Sequence, residues 1–206
     1  MEKNWASDHL HTIRTLMERS ALYRRALAPV MIAAGVLGMG GAAVTHLAGL
    51  ESTRAFSLAW LGIGAVTVCA CFLLVRRQAL KDSEPLLSLP TRRIVGALTP
   101  CFLAGLAAGV QPWLTPTPPP AWLIAAVWIT AYGCALHAAG FFMQRGIKLF
   151  GWLFVLAGTG LLLLGGSSAP LQSPHAAHNV MGSFFGALHL GYGVYLYFTE
   201  KARNRP

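Results

Sequence analysis

Six apolar stretches, each near the thickness of a bilayer's hydrocarbon core, divide this chain and leave little room for any other architecture. They cover residues 28–50, 56–75, 94–114, 121–142, 149–165 and 180–198. A helix rises 1.5 Å per residue, so a core about 30 Å thick takes roughly 20 residues to cross. Backbone polar groups in lipid need internal partners, and a helix supplies them within one segment. The pattern predicts an all-α, polytopic membrane bundle of six transmembrane helices. Only 11% of the chain is charged, against about 25% in a soluble domain.

The cations set an orientation. Five precede the first stretch, five lie between the second and third, two between the fourth and fifth, and three follow the last. Those fifteen fall on one side, and Arg54 alone falls on the other. Lys and Arg gather in cytoplasmic loops, so both termini are expected in the cytoplasm. The same rule accounts for the net charge of +9 without nucleic acid; the partners implied are anionic lipid headgroups of the cytoplasmic leaflet. The N-terminus does not read as a cleavable signal, because a charged helical pattern runs for 26 residues before the first stretch.

Three parts are expected: residues 1–26, the six-span bundle 27–198 and a basic tail 199–206. Residues 4–26 pattern as an amphipathic helix. Leu10, Ile13, Leu16, Met17 and Leu22 lie near helical spacing, with Arg14, Glu18, Arg19 and Arg25 opposite. Such a helix lies along the headgroup layer or docks a cytoplasmic protein partner. The short Met143–Lys148 connection predicts that the fourth and fifth spans are antiparallel neighbours. Pro100 interrupts the third span and predicts a kink. The run Thr115-Pro116-Thr117-Pro118-Pro119-Pro120 predicts a stiff extended turn. Gly105/Gly109, Gly182/Gly186 and the glycines at 35, 38, 40 and 41 predict close helix contacts, within one chain or in a homo-oligomer.

Every acidic residue (Glu2, Asp8, Glu18, Glu51, Asp82, Glu84 and Glu200) lies outside the apolar stretches. That weakens proton-coupled transport, which commonly uses a carboxylate in the membrane, and removes intramembrane aspartyl chemistry. No HExxH, no P-loop and no dinucleotide fingerprint is present. Cys69, Cys71, Cys101 and Cys134 lie within spans and read as small packing residues. Histidines remain. On a regular helix His175, His178, Gly182, Gly186, His189 and Gly193 fall within an arc of about 80°, so this face should point into the bundle. His137 and His189 share an inner depth on the order of 10–14 Å from the cytoplasmic boundary. Three readings of these two stand: hydrogen bonds between helices, a haem or metal ion held by imidazole, and a polar pathway for a solute or proton. His46, His175 and His178, near the outer surface with Glu51, form a candidate metal site.

Residues Ile13-Arg14-Thr15-Leu16-Met17-Glu18-Arg19-Ser20 precede a glycine-rich span; Trp128, Tyr132-Gly133, Phe185-Gly186, Leu188-His189 and Tyr192-Gly193 follow later. With these features the chain resembles a group of small, largely uncharacterised bacterial integral membrane proteins across most of its length. That resemblance implies a bacterial cytoplasmic (inner) membrane and a regulatory partnership with small winged-helix regulators, and it carries over no site residue. The proline-rich turn and the His175–His178 segment depart from the group's pattern. The function expected is a non-catalytic sensor, regulatory or scaffold subunit working with a cytoplasmic partner. The alternatives are a small transporter or channel and a haem- or metal-binding redox subunit.

Overall fold

The computed structural model describes residues 21–203, apart from positions 84, 87 and 144. All regular structure among them is helical. In chain order the helices are α1 (Ala21–Leu47), α2 (Thr53–Lys81), α3 (Leu89–Leu114), α4 (Ala121–Ala139) and α5 (Arg145–Leu164). Two short 3-10 turns, Gly165–Ser167 and Ala169–Gln172, lead into a continuous helical rod. The rod consists of α6 (Pro174–Met181), a π-helical stretch (Gly182–Leu188) and α7 (His189–Arg203). Among the described residues five helices are long and apolar enough to cross a membrane, within Ala26–Leu47, Thr53–Lys81, Thr91–Leu114, Ala121–Ala139 and Gly146–Ser167. The sixth apolar stretch, 180–198, lies inside the rod. Most of the amphipathic helix expected over 4–26 lies outside the described residues; positions 21–26 continue into α1.

Local chemistry fixes the turns. Ser52 caps α2, its hydroxyl accepting from the Ala55 amide at 3.1 Å, and Ser173 caps α6 through the Ala176 amide at 3.2 Å. The reversal between α1 and α2 uses Gly49 at φ +60°, a left-handed conformation open to glycine at no steric cost. At this end of the bundle, the proline-turn end, Arg54 spans from α2 to α3. Its Nε donates to the Pro112 carbonyl at 3.0 Å and a terminal nitrogen donates to the Thr115 carbonyl at 3.2 Å. These carbonyls close α3, where the helix dipole is negative and intrahelical partners are missing. The lone cation on this side therefore has a structural task.

Apolar helices approach closely where small residues face a neighbouring backbone. The tightest pair is α4 with α5, antiparallel neighbours as the short connection requires. A Cβ on Gly151 would stand 2.7 Å from the His137 amide nitrogen, and one on Gly133 2.6 Å from the Val155 nitrogen. The rod packs on α1 in the same way: a Cβ on Gly186 would meet the Met39 nitrogen at 2.7 Å, and one on Gly193 the Ile32 nitrogen at 2.7 Å. Gly182 and Gly186 thus serve packing within the chain. Gly105 and Gly109 instead receive the Trp128 side chain, whose Nε1 donates to the Gly105 carbonyl at 2.7 Å. Pro100 stays within α3, beside Thr99, whose hydroxyl bonds back to the Val95 carbonyl at 2.7 Å.

Packing is uneven. In its most apolar window 44% of α4 is buried, against 6% of α2 and 11% of α3. One core joins α1, α4, α5 and α7 through Met31, Ile129, Phe154 and Leu196; a second, at the proline-turn end, joins α2, α4 and α6 through Phe56, Trp60, Ile124 and Met181.

Candidate functional site: two buried histidine nodes

The rod carries two fully buried histidines, His178 and His189, each 1% exposed. An imidazole removed from water must find partners for both ring nitrogens, and each of these does.

His189 begins α7 at the end of the π-helical stretch. Its Nδ1 lies 2.9 Å from the carbonyl of Phe184, five residues earlier, and its Nε2 lies 2.7 Å from the Tyr132 hydroxyl on α4. A carbonyl only accepts, so Nδ1 carries the proton and Nε2 offers a lone pair. Tyr132 is therefore the donor. Aromatic rings close the site: Phe150 and Phe154 stand edge-on at 5.2 and 5.5 Å, and Phe185 stacks at 6.0 Å. Tyr132 itself packs edge-on against Phe154 and Phe185.

His178 has the opposite tautomer. The Trp60 indole donates to Nδ1 at 3.0 Å, so the Nε2 proton goes to the Leu50 carbonyl at 2.9 Å. One imidazole thereby ties α6, α2 and the α1–α2 turn together, with Phe56 edge-on at 5.0 Å. His178 precedes the 180–198 stretch. Burial lowers its affinity for a proton; the Leu50 bond works the other way, and nearby His175 and His46 add to the lowering.

Among the described residues the other three histidines, His46, His137 and His175, are more open. The rings of His46 and His175 meet at 4.9 Å, and His175 Nε2 lies 3.9 Å from a Glu51 carboxylate oxygen. The Nδ1 of His175 is buried without a hydrogen-bond partner, as is that of His137. His137, half-buried on α4, stands edge-on to Trp152 and Phe141, the latter lying beneath the Lys148 ammonium.

Four of the five candidate histidines thus gather in pairs or nodes, but His137 and His189 do not form one. Among the described residues neither a hydrogen bond nor a ring contact joins them. His189 meets Tyr132, which lies five residues and about 140° around α4 from His137. The two also approach different sides of α5, at Phe150 and Phe154 in one case and at Trp152 in the other. Both nitrogens of His189 are engaged, so the pair does not fit a haem or metal ion. His178 likewise has no free lone pair to add to His46 and His175. No group of three or more His, Cys, Asp or Glu among the described residues is disposed to hold a metal ion.

The inward-facing arc expected for the rod survives in altered form. Glycines 182, 186 and 193 meet α1, His178 meets α2 and His189 meets α4 and α5. The π-helical stretch changes the angular step between the histidines, so a phase count of 100° per residue does not carry through it. Trp60 and Tyr132, residues that an aromatic belt or a packing role would explain, prove to be the histidines' partners. All four cysteines are free.

Comparison with protein-family models, curated proteins and solved structures returns no match.

Proposed function

We propose that this chain is a six-span protein of the bacterial cytoplasmic membrane, with both termini inside, acting as a non-catalytic sensor or regulatory subunit for a cytoplasmic partner. The observation that carries this reading is the closure of both buried histidines. With four ring nitrogens committed to protein donors and acceptors, His178 and His189 hold helices together and leave no open ligand position. A buried polar group with satisfied partners orders a bundle. The 180–198 stretch, 19 residues long, is close to the roughly 20 needed for a sixth crossing. The cation asymmetry supports cytoplasmic ends, and the resemblance to small bacterial membrane proteins supports a regulatory partnership through residues 4–26.

The test is deletion of residues 1–24. The shortened protein should still reach the membrane and elute as a folded species in mild detergent, while partner co-purification after crosslinking in native membranes is lost. Loss of folding would make the segment a structural anchor instead. Solute flux in liposomes that falls with His189→Ala, or a Soret band from purified protein, would replace the regulatory reading with transport or redox chemistry.

A further inference from the structure

α2 and α3 each turn a face towards the bundle and leave it half covered. No residue of α2 from 61 to 78 is buried, and none of α3 from 95 to 108. The half-buried residues Ala70, Cys71 and Leu74 on α2, and Ala97, Leu98 and Cys101 on α3, repeat the i, i+1, i+4 spacing of one helical face. Both helices are nevertheless clamped at their ends. The Ser57 hydroxyl donates to the Gly109 carbonyl and Arg54 closes α3 on one side; Ala79, Thr91 and Ile94 are buried on the other. Between those ends runs a half-covered apolar strip on each helix, which would form the walls of a groove.

Exposed cations stand at its basic end: Arg76, Arg77 and Lys81 on α2, Arg92 and Arg93 on α3. By helical rise Arg76 and Arg92 lie about 7 and 5 Å from the ends of their helices, so the two sets share one level. Asp82 sits among them and accepts from Gln78 at 2.9 Å. Counting Asp82 and Glu84 against the five cations leaves this end at +3. A second copy related by an axis along the membrane normal would bring two such clusters to the same level, where like charges repel. A lipid has the complementary form, an apolar chain below an anionic head.

We infer that the α2–α3 groove binds one anionic phospholipid. Its acyl chain lies along the half-covered faces, and its phosphate is held by the Arg76/Arg77 and Arg92/Arg93 pairs, whose guanidinium forks match phosphate oxygens. The site rests on the membrane reading above; recovery of the chain from the soluble fraction of cells would overturn that reading before the site is reached.

The experiment uses full-length protein, delipidated in mild detergent and titrated with dioleoyl phosphatidylglycerol or dioleoyl phosphatidylcholine. Native mass spectrometry counts bound lipid and thermal unfolding reports its effect. One phosphatidylglycerol should bind saturably and raise the Tm, while phosphatidylcholine should not. Each surface cation contributes about 1 kcal/mol towards an anionic head, so R76Q/R77Q or R92Q/R93Q should weaken binding about thirtyfold, the equivalent of about 2 kcal/mol. Ala97→Phe, which fills the groove and keeps the cations, should abolish it; Lys148→Gln, at the same end on α5, should not. Equal binding of the two lipids, or unchanged affinity in both arginine variants and in Ala97→Phe, would overturn the site. So would a lipid-free dimer crosslinked in high yield through the exposed Cys69.

Discussion

Removing one hydroxyl from the membrane interior tests the His189 node most directly. Tyr132→Phe keeps the ring that packs on Phe154 and Phe185 at 5.2 and 5.1 Å. It deletes the proton donated to His189 Nε2 across 2.7 Å. What remains is a lone pair on a residue 1% exposed, closed by aromatic rings from any donor that could replace the tyrosine. In soluble proteins an orphaned buried acceptor costs about 1–3 kcal/mol. Bonds between helices in bilayers average about 0.6 and reach about 1.7, because the unfolded reference also finds partners. The closed aromatic surroundings argue for the upper part of that range, so Tyr132→Phe should destabilise by about 1–2 kcal/mol. His189→Phe should cost more, since it strands the tyrosine hydroxyl and the Phe184 carbonyl together. The double variant should cost less than the sum, with a coupling of about 1 kcal/mol. Unfolding equilibria of the four proteins by steric trapping in bicelles supply the cycle. Additive effects, or a Tyr132→Phe cost below about 0.3 kcal/mol, would refute the assignment of this bond.

Two further outcomes follow from packing and protonation. Gly151→Ala, whose new methyl would stand 2.7 Å from the His137 nitrogen, should destabilise by about 1–3 kcal/mol through overpacking. Gly160→Ala on the same helix has nothing within 4 Å and should be neutral or stabilising by up to about 1 kcal/mol; equal effects in the same unfolding assay would contradict the α4–α5 interface. Because burial lowers the His178 proton affinity, folding favours the neutral ring, and the unfolded chain binds the extra proton as pH falls below about 6.5. Stability is complete above that pH and declines below it, with loss of the Nδ1 acceptor for Trp60. A Tm profile from pH 8 to 5 should fall more steeply in the wild type than in His178→Gln, and superimposable profiles would sink the argument.

The long helices, the antiparallel α4–α5 pairing and a close helix contact at Gly182 and Gly186 were legible in the sequence, because each follows from segment length, loop length or side-chain size. The histidine partners were not. Trp60 and His178 are 118 residues apart, and their meeting depends on which helices adjoin, a property no local spacing encodes. The π-helical stretch escaped for a related reason: periodicity arguments assume one angular step throughout. The bond from His189 to the Phe184 carbonyl five residues earlier belongs to that altered step. The α4–α5 contact at Gly133 and Gly151 was hidden because the two glycines lie on separate helices, where a search for paired small residues along one helix does not look.

α1 packs chiefly on the rod, the last helical element among the described residues. During synthesis it leaves the ribosome ahead of the other described helices, and its partner surface at Gly186 and Gly193 emerges only after some 150 further residues. Until then the approach sites at Gly35 and Gly38 lack the backbone they pack against. The joint between α1 and the rod therefore forms only after α1 to α5 have been made. A nascent chain halted before the rod would keep that joint open, free to take the rod of a finished neighbour.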